Sequence, residues 1–363
     1  MTNGSIPPAR VKMFAALVAV IAAASGIYLY LVRAETPHAS AGAPHLIESW
    51  QEQAFAAIRR RAHVAFRHMA PGPDYGRLSF ASLDDRTTRL TTRLPCSRIH
   101  FTAKAGLCLT IASNPAGFLG YLIDDALEVT HTLDLPGMPS RTRVSPDGRV
   151  AAYTAFVAGD SYLASGLSTR TRIVDVGSGR VVGDLEAFTV TQDGRVAQSP
   201  DFNFWGVTFT RDGHRFYATV GSDGYTYLVE GDVAAKTIKV IAEDVECPAL
   251  SPDETRIAFK KKFGSGFDAW WEPAVIDLAT RKVRVLPEPR HMDDQIEWLD
   301  DGHILYAVGH SISAALRRAD VWMLATDGSG APTLFIADAE SPAVVRPESG
   351  LQSRLHGETA GRR

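Results

Sequence analysis

The sequence predicts an all-β chain, a six-bladed β-propeller of four-stranded blades preceded by one transmembrane helix. Three observations carry this. A strand–turn–strand phrase recurs at 141–156, 206–220, 246–263 and 295–308. Its turn aspartates, Asp147, Asp212, Asp253 and Asp301, lie 65, 41 and 48 residues apart, and about 40–50 residues is the length of one propeller blade. Incomplete units stand at the two ends of the repeat region, three strands at one and a single strand at the other.

The elements follow in chain order. Residues 1–12 read as a cytoplasmic tail. Met13 to Val32, "MFAALVAVIAAASGIYLYLV", is a run of 20 residues without a charge, and a helix of that length spans roughly 30 Å, the hydrocarbon thickness of a bilayer. Arg10 and Lys12 just before it favour a cytoplasmic N-terminus. The alternative is a signal peptide cleaved near Ala39-Ser40-Ala41, although the apolar run exceeds the roughly 7–15 residues of a signal core. The expected location is the cell membrane, single-pass, with the propeller on the extracytoplasmic side; cleavage would make the protein secreted. Residues 33–61 hold a flexible linker, "ETPHASAGAPH", and then a short helix over 45–61 with Leu46, Ile47, Trp50, Ala54 and Ile58 on one face.

The propeller is expected over 62–346. In each repeat a short alternating strand leads into a tight turn: Ser145-Pro146-Asp147-Gly148, Thr210-Arg211-Asp212-Gly213, Ser251-Pro252-Asp253-Glu254 and Leu299-Asp300-Asp301-Gly302. Pro presets φ, Asp bonds back to the backbone and Gly tolerates positive φ. The second strand carries small residues such as Ala151, Ala152, Ala218 and Ala258, which let neighbouring sheets approach closely. The long first interval contains an extra hairpin, "TVTQDGRVAQS" (189–199). The final strand around Val344 is expected to become the innermost strand of a blade whose other three strands come from 62–94, leaving no open edge. Units starting near 96, 141, 205, 247, 295 and 341 give six blades, with five or seven as alternative counts. Residues 347–363 are polar and read as a disordered tail.

Cys96 and Cys108 flank "SRIHFTAKAGL", read as a hairpin whose two strands would place them face to face. A disulfide between them suits an oxidising compartment; the alternative is two small buried hydrophobes. Cys247 is left over and is expected to be buried.

The phrases "SPDGRVAAYTAF" and "ALSPDETRIAF", followed by "VIDLATRKVRVL", resemble the Pro-Asp β-propeller repeats of TolB. The stretches "NFWGVTFTRDGHRFYAT", "ECPALSPDETRIAFKKK" and "DDQIEWLDDGHILYA" resemble membrane-anchored, TolB-like proteins of actinobacterial type. The resemblance covers 62–346 and implies a protein-interaction module. It departs from the repeat at Glu254, where the turn Gly is missing, and at Arg211, where Pro is missing. The separate N-terminal domain of TolB has no counterpart in the sequence, so TolB's translocation partnership is not implied.

Signatures of chemistry are sparse. The sequence contains no G-x-S-x-G, H-E-x-x-H, C-x-x-C, Walker loop or Rossmann fingerprint. A net charge of −3 and the lack of a basic stripe interleaved with aromatics argue against nucleic acid, and no cofactor is expected. What remains is geometry. Links between blades cross one face near the channel mouth and bring Asp201, Asn203, Trp205, Glu246, Asp293, Asp294, Gln295 and Glu340 there. Loops between second and third strands open on the same face, with Asp160, Tyr162, Asp268, Trp270, Trp271 and His310. Adjacent Trp270 and Trp271 cannot both face one core, so one should be exposed or capped by the loop "FGSGFD", and an exposed one would anchor a partner. Such a mouth suits a cation, a basic peptide or a sugar; its bland reading is ordinary mouth polarity, with Trp205 and Trp298 packed between blades.

The expected function is a non-enzymatic, membrane-tethered extracytoplasmic propeller binding an envelope protein, peptide or other envelope component at this mouth. The alternative is a metal-dependent propeller enzyme of lactonase, lyase or cyclotransferase type, using carboxylates such as Asp293 or Asp294, with His291. A third reading is a structural spacer or sensor domain.

Overall fold

The computed structural model describes residues 46–112, 117–157, 168–199, 201–264, 268–313 and 316–347, all within one compact unit, His45–Arg363. The apolar run 13–32 lies outside the described residues, as does the expected tail beyond Pro347. Among the described residues no helix is long and apolar enough to cross a membrane.

Six sheets form the propeller. Blade 1 contributes His63–His68, Arg77–Ser82 and Arg89–Pro95, and blade 2 Arg98–Phe101, Ala105–Ile111, Phe118–Asp124 and Val129–Leu135. Blade 3 is Met138–Val144, Val150–Val157, Ser168–Asp175 and Val181–Asp184; blade 4 is Asn203–Phe209, Arg215–Ser222, Tyr225–Asp232 and Thr237–Glu243. Blade 5 is Glu246–Leu250, Arg256–Phe263, Trp270–Asp277 and Val283–Val285; blade 6 is Glu297–Asp300, His303–Ser313, Leu316–Ala325 and Thr333–Ile336. Each blade runs antiparallel from the channel outward.

The ring closes as the sequence predicts. The last strand, Ala339–Val345, pairs antiparallel with His63–His68 in the register His63↔Val345, Val64↔Val344 and Ala65↔Ala343. It is thus the innermost strand of blade 1. The extra hairpin, Thr189–Gln192 with Arg195–Ala197, adds parallel to Thr237–Glu243 at Thr189↔Thr237. It widens blade 4 to six strands and covers an edge whose backbone groups would otherwise face solvent.

The core lies between blades. Ala151, Ala152, Ala218, Ala258 and Ala307 are fully buried on second strands. Their small side chains admit the large ones, Phe216, Phe259 and Tyr306, that fill the gaps between sheets. The turns brace one another around the far mouth. Asp147 Oδ1 accepts from Ser145 Oγ (2.6 Å) and from Arg149 N (3.1 Å), a pattern that Asp212 repeats with Thr210 and His214. Each turn arginine then reaches the next blade: Arg149 donates to Asp212 O (2.6 Å), Arg211 to Pro252 O (2.9 Å) and Arg256 to Asp301 O (2.8 Å). In the fourth copy the turn role falls to Asp300, which accepts from Gly302 N at 2.7 Å, while Asp301 Oδ1 accepts from Asp253 N. Glu254, standing where the repeat has Gly, adopts φ +60° and accepts from Arg211 N at 2.5 Å.

Two local expectations are corrected. The helix near the N-terminus is a 3-10 turn, Ser49–Gln51, followed by an α-helix, Glu52–Arg59. Its buried residues are Gln51 and Phe55; Leu46 just before it is buried and Ile47 and Ile58 pack on the same core, as expected, while Trp50 is 75% exposed and Ala54 faces solvent. The tighter 3-10 turn rotates the phase, so Phe55 rather than Ala54 packs on Phe80 of blade 1, and Gln51 Nε2 donates to Thr91 O. Cys96 and Cys108 form a disulfide with Cα atoms 5.6 Å apart, but they do not face each other across a ladder. Cys108 pairs with Ile99, and Cys96 lies before that strand, so the bridge ties the link from blade 1 to the second strand of blade 2. Cys247 is free and buried.

Candidate functional site

The innermost strands leave a central channel with a cavity at each mouth. At the mouth crossed by the blade-to-blade links, an open cavity of about 500 Å³ lies mainly against blades 3, 4 and 5. At the turn mouth a second cavity measures about 290 Å³.

Of the mouth residues expected from sequence, Asp201, Asn203, Trp205, Glu246, Trp271 and Asp293 line the larger cavity. Asp201 is held by its own loop: Ser199 Oγ and Ser222 Oγ donate to Oδ1, the latter at 2.7 Å, and Asp223 N donates to Oδ2 at 2.8 Å. These donors hold its carboxyl below the usual range, Ser199 first among them. Asn203 Oδ1 accepts from Thr169 N at 2.7 Å, tying blade 4 to blade 3. The Trp205 ring lies over Gly221, where any Cβ would sit 2.8 Å from it.

Three residues leave this constellation. Asp294 turns inward and is 2% exposed; its Oδ2 accepts from Ser341 N at 2.7 Å, and burial, then Glu340, push its carboxyl upward. Gln295 enters the channel wall and donates to Ile99 O at 2.9 Å. Trp270 stands outside, 44% exposed, its ring stacked on Phe263 and its Nε1 donating to Glu272. Of the adjacent tryptophans, the exposed one is therefore Trp270, and Trp271 forms cavity wall. Trp298 packs between blades and donates to Ala249 O at 2.8 Å. His310 approaches Asp320 at 4.0 Å, and Asp268 is exposed. Asp160 and Tyr162 lie outside the described residues.

The strand pattern concealed the cations. Arg98, Arg141, Lys260 and Lys262 also line the cavity, so its four acids, Asp201, Asp223, Glu246 and Asp293, meet four bases rather than forming an acidic ring. Asp293 Oδ1 accepts from Lys260 Nζ at 2.7 Å and from Arg141 Nη2 at 2.9 Å. Burial works against its ionisation, but Lys260 and then Arg141 outweigh it and hold the carboxyl far below its ordinary range. Arg98 donates to Ser140 O at 2.8 Å and lies 3.6 Å from Glu340. The available signal was a basic residue inside an otherwise apolar strand, as in "RTRV" and "IAFKKKF", which alternation alone does not direct towards the channel. Trp271 carries Lys260 Nζ 5.2 Å and Lys262 Nζ 5.9 Å from its ring centre, with the His291 ring at 5.5 Å.

Deeper in the channel, Gly206 (φ +66°) lies so near Cys247 that a Cβ would come within 2.6 Å of its Cα. A saturated carboxylate lines the cavity at the turn mouth. Glu297 Oε2 accepts from Arg143 Nη1 at 2.5 Å and faces His100 Nε2 at 3.5 Å, and Oε1 accepts from Val344 N at 3.1 Å. His100 Nδ1 accepts from Val144 N at 3.0 Å, which leaves the ring proton on Nε2. Burial, then Arg143, lower the affinity of His100 for a second proton. Among the described residues no three or more His, Cys, Asp or Glu side chains are grouped to hold a metal ion.

No protein-family model and no curated protein matches the chain. Solved structures do. TolB from Acinetobacter baumannii aligns at 19% identity over 82% of this chain and 70% of that one, with a TM-score of 0.55. A nidogen/laminin complex aligns at 11% identity over 78% and 98%, with a TM-score of 0.50. A TolB described as putative, from Agrobacterium tumefaciens, aligns at 11% over 77% and 91%, with a TM-score of 0.46, too distant to argue from. At these identities the likeness is one of fold: the chain is a TolB-like β-propeller.

Proposed function

We propose that this propeller is a non-enzymatic binding module, tethered to the membrane on the extracytoplasmic side by residues 13–32, which captures a protein or cell-envelope component at the link-side mouth. The observation that carries the reading is the open cavity of about 500 Å³, within the size range of ligand sites. It combines aromatic walls, Trp205, Trp271, Phe156 and Tyr225, with charged groups at its base. The uncharged run of 20 residues supports the tether, as does the resemblance to membrane-anchored proteins of actinobacterial type. The metal-enzyme alternative has no observation in its favour, since Asp293 is already engaged by Lys260 and Arg141.

Photo-crosslinking in the native cell envelope tests this. A crosslinker at Tyr225, which is 65% exposed on the mouth, is expected to capture a discrete partner, whereas one at Val283 on the outer strand of blade 5 is not. Identical adducts from both positions, or none from Tyr225, would overturn mouth binding. Residues 1–32 retained in the mature chain support the tether; a mature N-terminus near 41 would replace it with secretion.

A further inference from the structure

Glu246 is only 7% exposed, begins the innermost strand of blade 5 and lines the mouth cavity. Within the described residues its carboxylate receives no hydrogen bond and no ion pair, and its oxygens are not sealed from solvent. The nearest register partner, Lys260, turns its Nζ away to Asp293 at 2.7 Å. The carboxylate therefore faces the cavity with no protein donor, an unpaired acceptor for a positive group that enters there. On the blade 4 side, Asp201 already accepts from Ser199, Ser222 and Asp223 N, whereas Asp223 itself and Lys262 on the rim are exposed to solvent. Two tryptophans, Trp205 and Trp271, line the same cavity, and aromatic faces attract cations.

We infer that the mouth cavity is a recognition site for an alkylammonium or guanidinium group, which enters beside Trp205 and Trp271 and donates to the Glu246 carboxylate. This deepens the mouth-binding reading and rests on it. Asp293, shared between Arg141 and Lys260, offsets one of their two positive charges and holds both groups away from Glu246. The same chemistry has two sources, a free amine or the lysine or arginine side chain of a partner.

Calorimetric titration of the purified full-length protein tests the inference. The probes are agmatine, a capped glycyl-lysyl-glycine peptide, its norleucine counterpart and glutarate. Agmatine or the lysine peptide, or both, should bind saturably, and the norleucine peptide and glutarate should not. Tighter binding of the peptide identifies a partner side chain as the source; tighter binding of agmatine identifies a free amine. Glu246→Gln should weaken binding by about tenfold or more, the scale of one lost charge-assisted hydrogen bond. Should that variant not fold, Lys262→Glu, at an exposed position, should tighten amine binding. The inference is overturned if neither cation binds at up to about 10 mM at low salt, if norleucine or glutarate binds as well, or if Glu246→Gln or Lys262→Glu leaves affinity unchanged. Failure here with a successful Tyr225 crosslink would leave a partner at the mouth that is recognised by other chemistry.

Discussion

Arg67 and Glu340 stand 273 residues apart in the chain and meet at 2.5 Å between Nη1 and Oε1. The first belongs to the opening strand of the propeller and the second to the closing one, so the ion pair lies on the seam of the ring. Glu340 is 1% exposed and also faces Arg98 at 3.6 Å and Arg317 at 3.5 Å. One carboxylate thereby joins blades 1, 2 and 6.

Replacing Glu340 with Ala leaves several guanidinium groups facing each other without their shared acceptor. Loss of one partner of a buried pair costs about 3–5 kcal/mol. Denaturant unfolding of Glu340→Ala should show a loss of that order, with proteolysis beginning near Ala339. A loss below about 1 kcal/mol, the level of a surface pair, would show that backbone pairing alone holds the seam.

Gly206→Ala should be among the more damaging single-methyl changes in the chain. The position combines φ +66° with a Cβ contact of 2.6 Å to Cys247 Cα, which is backbone and cannot rotate away. Strain and overpacking together are expected to cost about 2–4 kcal/mol, seen as a lowered unfolding midpoint. Gly194→Ala, also at positive φ but with nothing within 4 Å of its Cβ, serves as the control and should lose only about 1 kcal/mol.

The Cys96–Cys108 bridge closes a loop across a sequence separation of 12. Chain-entropy reasoning assigns such a loop about 3 kcal/mol. The double variant Cys96→Ser, Cys108→Ser should unfold at correspondingly lower denaturant, and reducing agent should lower wild-type stability without affecting the variant. Equal sensitivity of the two proteins to reductant would contradict this.

Glu186 supplies a pH dependence. Burial first, and then Asp184, raise its carboxyl to about 8, even though both oxygens accept from Thr171 N. Its folded value exceeds the ordinary carboxyl value of 4.5, so its contribution is fully present below pH 4.5 and is lost as pH rises towards 8. Glu186→Gln, which mimics the protonated form, should flatten the decline in stability across that window. An unchanged profile would place the pH response elsewhere.

How much of this was legible beforehand differs between fold and site. The four turn phrases and the orphan strand near Val344 sufficed for six blades and their closure, because turn chemistry and hydrophobic alternation are local. The extra hairpin at 189–199 was visible for the same reason, although its parallel docking on Thr237–Glu243 was not. Asp293, Asp294 and Gln295 lie in a link without regular alternation, so nothing in their order shows that Asp293 faces the cavity while its neighbours point inward. Trp50 and Ala54 were misplaced because a 3-10 turn of only three residues shifted the helical phase.

The sequence by itself determined a ring of repeated sheets, where that ring must be sealed and which end of each blade carries the variable links. Only the tertiary structure decided that Arg141 and Lys260 both commit to Asp293, while Glu246 lines the cavity with no protein donor. The reason is that strand pairing is governed by period-two patterns and turns within a few dozen residues. Charge pairing across the channel depends instead on side chains from different blades arriving within about 3 Å of one another, and no local pattern encodes that convergence.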